Sequence, residues 1–130
     1  MSMIPTDDPK IIAEVAAQFE RYETALVTND VAVLDELFLN APQTVRYGAA
    51  ETLYGYDEIA EFRAGRDASR LNRKVTRVHI AAYGPDMAIA FCENQRIETG
   101  RRGLQSQTWI RTPDGWRVVA AHVSMLPEEG

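Results

Sequence analysis

The hydrophobic period of this chain changes once, from 3.6 to 2 at about residue 70, and no other feature limits its fold as strongly. Upstream the pattern is helical. Asp8-Pro9 reads as an N-cap followed by proline at the first helical position. Ile12, Val15, Phe19, Tyr22 and Leu26 then recur at steps of three and four, so the spacing predicts a helix to about Thr28. Asn29-Asp30 restarts a second helix with Leu34, Leu37 and Phe38 inward, and Asn40-Ala41-Pro42 ends it. A short strand around Arg46 and another at Leu53-Tyr54-Gly55 precede a third helix, capped by Asp57 and running to about Ala68. Downstream, residues 73–83, 87–97, 104–112 and 116–126 alternate as strands. Gly84-Pro85-Asp86, the 99–103 region and Pro113-Asp114-Gly115 supply the turns. Helices followed by an antiparallel meander define an α+β chain. A long sheet curved around helices makes a cone that encloses a pocket.

The 130 residues suit a single domain over 1–130 with a real core. A net charge of −5 argues against a non-specific nucleic-acid surface, so the arginines matter locally rather than globally. The lone cysteine, Cys92, excludes an internal disulfide and a cysteine zinc cluster. Only His79 and His122 are present, with no ligand-spaced acids beside them, so no metal is expected. Met1-Ser2-Met3-Ile4-Pro5 lacks the basic start and apolar stretch of a signal peptide, and no run is long enough to span a bilayer. A cytoplasmic protein, without membrane or nucleic-acid partners, is the expectation.

Arg46 carries the first functional suggestion. In Thr44-Val45-Arg46-Tyr47-Gly48 it faces opposite to Val45 and Tyr47. A guanidinium aimed inward keeps its charge and offers a planar fork of donors suited to a carboxylate; an ion pair with Glu51 is the bland alternative. Tyr22 lies on the inner stripe of the first helix, where most tyrosines simply pack. A nearby guanidinium would favour its phenolate over a phenol of pKa about 10. Arg63 and Arg66 share a helix face with Ile59 and Phe62; Arg63 is the candidate second cation for a dianion, whereas Arg66 reads better as a solvated edge.

A three-residue loop at 113–115 would pair Thr112 with Trp116 and Ser106 with His122. Ser106, His122 and Ser124 then form one polar cluster, assigned to substrate binding. Gln105, Gln107 and Trp109 fall with Val119, Ala121 and Val123 on the other face, a possible subunit contact, although a one-residue shift would exchange the two sets. Cys92 reads as packing. Asp35 and Glu36 read as solvent-facing, and Glu93 offers no better base. Covering Trp109 or Trp116 on the outer sheet face would require a homodimer or higher homo-oligomer.

The element order resembles the NTF2-like (SnoaL-like) cone superfamily, as does the closing Gly115-Trp116-Arg117-Val118-Val119-Ala120-Ala121-His122-Val123-Ser124. Four further motifs, in order, are similar to the AtzH/HpxZ-like subfamily: Phe19-Glu20-Arg21-Tyr22-Glu23, Thr44-Val45-Arg46-Tyr47-Gly48, Tyr54-Gly55 with Ile59 and Phe62-Arg63, and Gln105-Ser106-Gln107-Thr108-Trp109. The resemblance covers nearly the whole chain. It implies a cofactor-independent decarboxylating amidohydrolase of cyanuric acid catabolism, converting 1,3-dicarboxyurea or a similar ureido acid to allophanate and carbon dioxide. It also implies that Tyr22 and Arg46 are the functional pair. Two alternatives stand beside it: a cone-fold isomerase, which needs an inward carboxylate base, and an oxalurate-pathway accessory that binds small acids without turnover.

Overall fold

The computed structural model describes residues 4–128, so the leader reading at Met1-Ser2-Met3 lies outside the described residues. Helix α1 spans Pro9–Val27, and its Asp8 cap accepts a hydrogen bond from the Lys10 amide. Ile11, Val15, Phe19, Tyr22, Ala25 and Leu26 are buried, with Ile11 rather than Ile12 opening the stripe. Helix α2 spans Val31–Leu37, capped by Asp30 through the Val33 amide. Strands β1 (Val45–Tyr47) and β2 (Thr52–Tyr54) precede α3 (Tyr56–Gly65). Gly55, at φ 90°, caps α3 instead of Asp57, which stands in the first turn where its charge suits the helix dipole. The helix stops three residues short of Ala68: Arg66 has extended backbone, and a short 3₁₀ turn over Ala68–Arg70 follows.

Strands β3 (Arg73–Tyr83), β4 (Met87–Arg96), β5 (Arg102–Thr112) and β6 (Gly115–Met125) form the expected meander. The six-stranded sheet runs β2-β1-β6-β5-β4-β3, with β1 parallel to β6 and the other pairs antiparallel. The helices pack on one face of this sheet. The core joins the α1 and α2 stripes to Ala88, Ala90, Trp109, Trp116 and Val118. No helix among the described residues is long and apolar enough to cross a membrane.

The β5–β6 hairpin departs from its expected geometry in two compensating ways. Its turn has two central residues, Pro113 and Asp114, so Thr112 pairs with Gly115 and Arg111 with Trp116. A register shift between Thr108 and Trp109 then leaves Val119 as an extra residue, and Ser106 still pairs with His122. The bulge also reverses the facing of β6. Trp116 and Val118 point to the core before it; Ala121 and Val123 do so after it.

Two sequence readings change as a result. Ser106, His122 and Ser124 stand on the outer face, away from the helices, with both His122 and Ser124 exposed. Gln105, Gln107 and Trp109 are buried on the inner face. Both tryptophans are internal, so neither is available to drive association through the outer face.

Candidate functional site

Arg46 is held at the centre of β1, between β2 and β6, and points to the inner face at 7% exposure. Its Nη1 donates to Glu51 Oε1 at 2.8 Å, and its guanidinium carbon lies 5.6 Å from the Phe62 ring centroid. The Glu51 pair foreseen as the bland alternative is therefore formed. Gly48 makes it possible: a Cβ there would meet Glu51 Oε1 at 1.7 Å. Without a side chain at 48, the Glu51 carboxylate folds back over the turn to reach the arginine.

Tyr22 faces inward from α1 at 3% exposure, its ring 6.3 Å from that of Phe38. It does not hydrogen-bond to Arg46. The two are brought into one neighbourhood by Arg63 and Arg66. Arg63 is 2% exposed; its Nη1 donates to the Leu34 carbonyl at 3.1 Å and approaches Asp35 Oδ1 at 3.3 Å. Its guanidinium also stacks 4.1 Å over Phe38. Burial pushes the Arg63 pKa down, while the Tyr22 phenol opposes that shift and Arg46 adds to it. Burial likewise lowers that of Arg66, reinforced by Arg46 and opposed by Tyr22.

Arg66 therefore corrects the sequence reading of a solvated edge. It turns inward to 5.8 Å from Phe62, the ring that Arg46 also approaches.

A second charged group adjoins this one. Arg73 pairs with Glu23 through Nε and Nη2, and Nη2 also donates to Gln105 Oε1 at 2.8 Å. Burial works against the Arg73 charge, but the Glu23 hydrogen bonds and charge outweigh it and raise the pKa; Tyr22 adds to the rise. Tyr22 thus lies within electrostatic range of Arg63, Arg66 and Arg73.

The hydrogen-bond balance of this interior is one-sided. Arg63 Nη2, Arg66 Nε and Nη2, Gln105 Nε2 and Gln107 Nε2 are buried with no partner among the described residues. All five are donors. Buried polar groups are normally paired, and leaving one unpaired costs about 1–3 kcal/mol, more when charged. The chemistry that would satisfy them is an acceptor-rich anion. The nearby carboxylates are already engaged: Glu51 with Arg46, Asp35 with Arg63 and Glu23 with Arg73. Among the described residues no group of three or more His, Cys, Asp or Glu could hold a metal ion.

The outer face offers different chemistry. A groove of ≈ 450 Å³ is lined by Arg77, His79, Phe91, Leu104, Ser106 and His122, but by none of Tyr22, Arg46 or Arg63. The stranded cations lie inside, and the inner cluster is the candidate site. The three polar residues of the outer face belong to a separate surface. Cys92 is buried beside Asn94, and burial pushes its thiol pKa up, which suits packing rather than nucleophilic attack.

Three helices against a curved six-stranded sheet define the NTF2-like fold class, and the comparisons give the family. The AtzH-like family model matches residues 4–129, and the chain belongs to that family. A Pectobacterium atrosepticum protein of unknown function shares 48% identity, covering 97% of this chain and 100% of its own at a TM-score of 0.92. A cystatin-like fold protein from Burkholderia xenovorans shares 39% identity over 97% of this chain and 99% of its own, with a TM-score of 0.91. An NTF2-like superfamily protein from Salmonella enterica, at 24% identity, covers 94% of this chain and 95% of its own at a TM-score of 0.76 and shows the shared fold. No curated protein matches the chain.

Proposed function

We propose that the protein is a cofactor-independent decarboxylating amidohydrolase of a small N-carboxylated urea, with 1,3-dicarboxyurea as the preferred substrate and allophanate and carbon dioxide as products. The observation that carries this reading is the set of buried, unpartnered guanidinium nitrogens on Arg63 and Arg66 beside Tyr22 and Arg46. The particular substrate rests on the resemblance of the Tyr22 and Arg46 motifs to the AtzH/HpxZ-like subfamily, with which membership of the AtzH-like family agrees.

In the proposed reaction Arg46, Arg63 and Arg66 hold the carboxylate that is retained. The bond between nitrogen and the departing carboxylate breaks, and its electron pair moves onto nitrogen. Tyr22 donates a proton there, carbon dioxide leaves, and solvent returns a proton to Tyr22. Substrate and one proton thus give allophanate and carbon dioxide. Fixed cations in a site that excludes water favour the charge that develops on the urea nitrogen and oxygen. The isomerase alternative is disfavoured because each acid near the cluster is committed to an arginine. Cytoplasmic location and homo-oligomerisation belong to the same proposal.

The test is release of carbon dioxide and allophanate from dicarboxyurea generated in situ, corrected for spontaneous loss, with oxalurate as the parallel substrate. Turnover by wild type that disappears in Tyr22→Phe and Arg46→Lys supports the reading. Full activity in either variant overturns it. Binding without turnover of either substrate would make the protein an acid-binding module.

A further inference from the structure

Gln105 and Gln107 have no place in the arginine–tyrosine scheme, yet both are buried on the inner face, at 4% and 0% exposure. Their amide orientations are set by their neighbours. Gln105 Oε1 accepts from Arg73 Nη2 at 2.8 Å, and Gln107 Oε1 accepts from Trp109 Nε1 at 3.2 Å. Arginine and the indole N–H only donate, so each amide must turn its oxygen toward them. Each Nε2 is then left over as an oriented donor, and neither has a partner among the described residues.

The sheet register places one of these donors in the same row as Arg46. Arg46 pairs with Ala121, and Ala121 pairs with Gln107, so all three share one row of the inner face. Two strand spacings separate Arg46 from Gln107, about 9.5 Å between backbones. The residue between them is an alanine, whose small side chain does not separate the two long ones. On the far side Gln107 pairs with Ala90, which is also small. Gln105 lies two residues along β5 and is tied through Arg73 to the Tyr22 neighbourhood.

We infer that Gln105 and Gln107 form a second, uncharged donor pole that binds the carbonyl oxygen of a ureido group while the arginines hold its carboxylate. The match is chemical: guanidinium is best suited to an ionised oxygen, and a carboxamide N–H to a neutral one. This pole would give the ureido substrate of the proposed reaction a recognition element that a simple carboxylate lacks. Donors on that oxygen also favour the charge it gains as the carboxylated nitrogen releases carbon dioxide. This inference rests on the anion site proposed above, but its test does not require turnover.

The test compares hydantoate with pentanoate, a chain of similar length without the ureido group, by calorimetric binding to wild type and Gln107→Leu. Wild type should prefer hydantoate by about tenfold, and the variant should reduce that preference to about twofold, the size expected for one buried neutral hydrogen bond. An unchanged preference in a variant that binds both probes overturns the inference. If Gln107→Leu does not fold, ¹⁵N spectra of wild-type glutamine side chains replace it. Carboxamide signals moved by hydantoate but not by pentanoate support the pole, and equal shifts overturn it. Failure of both probes to bind wild type overturns the anion site itself. Intact binding preference without dicarboxyurea turnover overturns only the reaction.

Discussion

The two faces of strands β5 and β6 are built from alternating residues of the same short segments, yet they do different work. Outside, Ser106, His122 and Ser124 lie along an open groove, and the His122 ring meets Tyr47 edge-on at 5.7 Å. Inside, Gln105 and Gln107 stand next to residues with almost no exposure, near cations that have more donors than acceptors. A polar side chain in contact with water exchanges one hydrogen bond for another at little net gain. The same side chain enclosed without a partner carries a cost that a ligand can recover. Polarity alone therefore does not mark a site; enclosed and unbalanced polarity does.

The largest test of this contrast is loss of the inner chemistry. Tyr22→Phe removes the proton donor, and Arg46→Lys removes the planar fork; each should lower kcat by at least about 100-fold in the carbon dioxide assay. Arg66→Leu should come next, raising KM by about tenfold with a smaller change in kcat, because it removes charge-assisted donors without touching Tyr22. A solvated Arg66 would leave KM unchanged.

Glu51→Gln should act in the opposite direction. The Glu51 carboxylate occupies Arg46 Nη1, so neutralising it should tighten hydantoate binding by about threefold by calorimetry. Weaker binding would mean that Glu51 orients Arg46 rather than competing for it. The smallest effect belongs outside: Ser106→Ala, Ser124→Ala and His122→Gln should each leave kcat/KM within about twofold. A large loss from any of them would return substrate binding to the outer face and break the comparison.

The helices, the meander and the inward directions of Tyr22 and Arg46 were legible in the sequence. Each depends on a period of three to four or two residues, and such periods survive small errors in boundaries. The placement of Ser106, His122 and Ser124 was not legible: they keep the expected pairing but stand along an outer groove rather than in the interior. A two-residue turn and one extra residue at Val119 cancel in register but change the facing of the end of β6. Arg66 was read as solvated although helical spacing puts it on the face of Ile59 and Phe62; it is half-buried, with Nε and Nη2 enclosed. The glutamines were visible as a motif, but nothing local marked them as the enclosed pair.

The sequence by itself determined the kinds of element, their order and the buried stripe of α1, because these follow from side-chain spacing along a regular backbone. Only the tertiary structure decided which face of the meander turns inward. A single bulge reverses that choice, and the alternation on either side of it looks the same. The partners of the other inward cations were also settled in three dimensions: Arg63 reached Leu34 and Asp35 on α2, Arg73 reached Glu23 on α1, and Arg63 and Arg66 kept donors unmatched. Pairing in an enclosed space depends on every element that closes it, and no one segment of the chain carries that information.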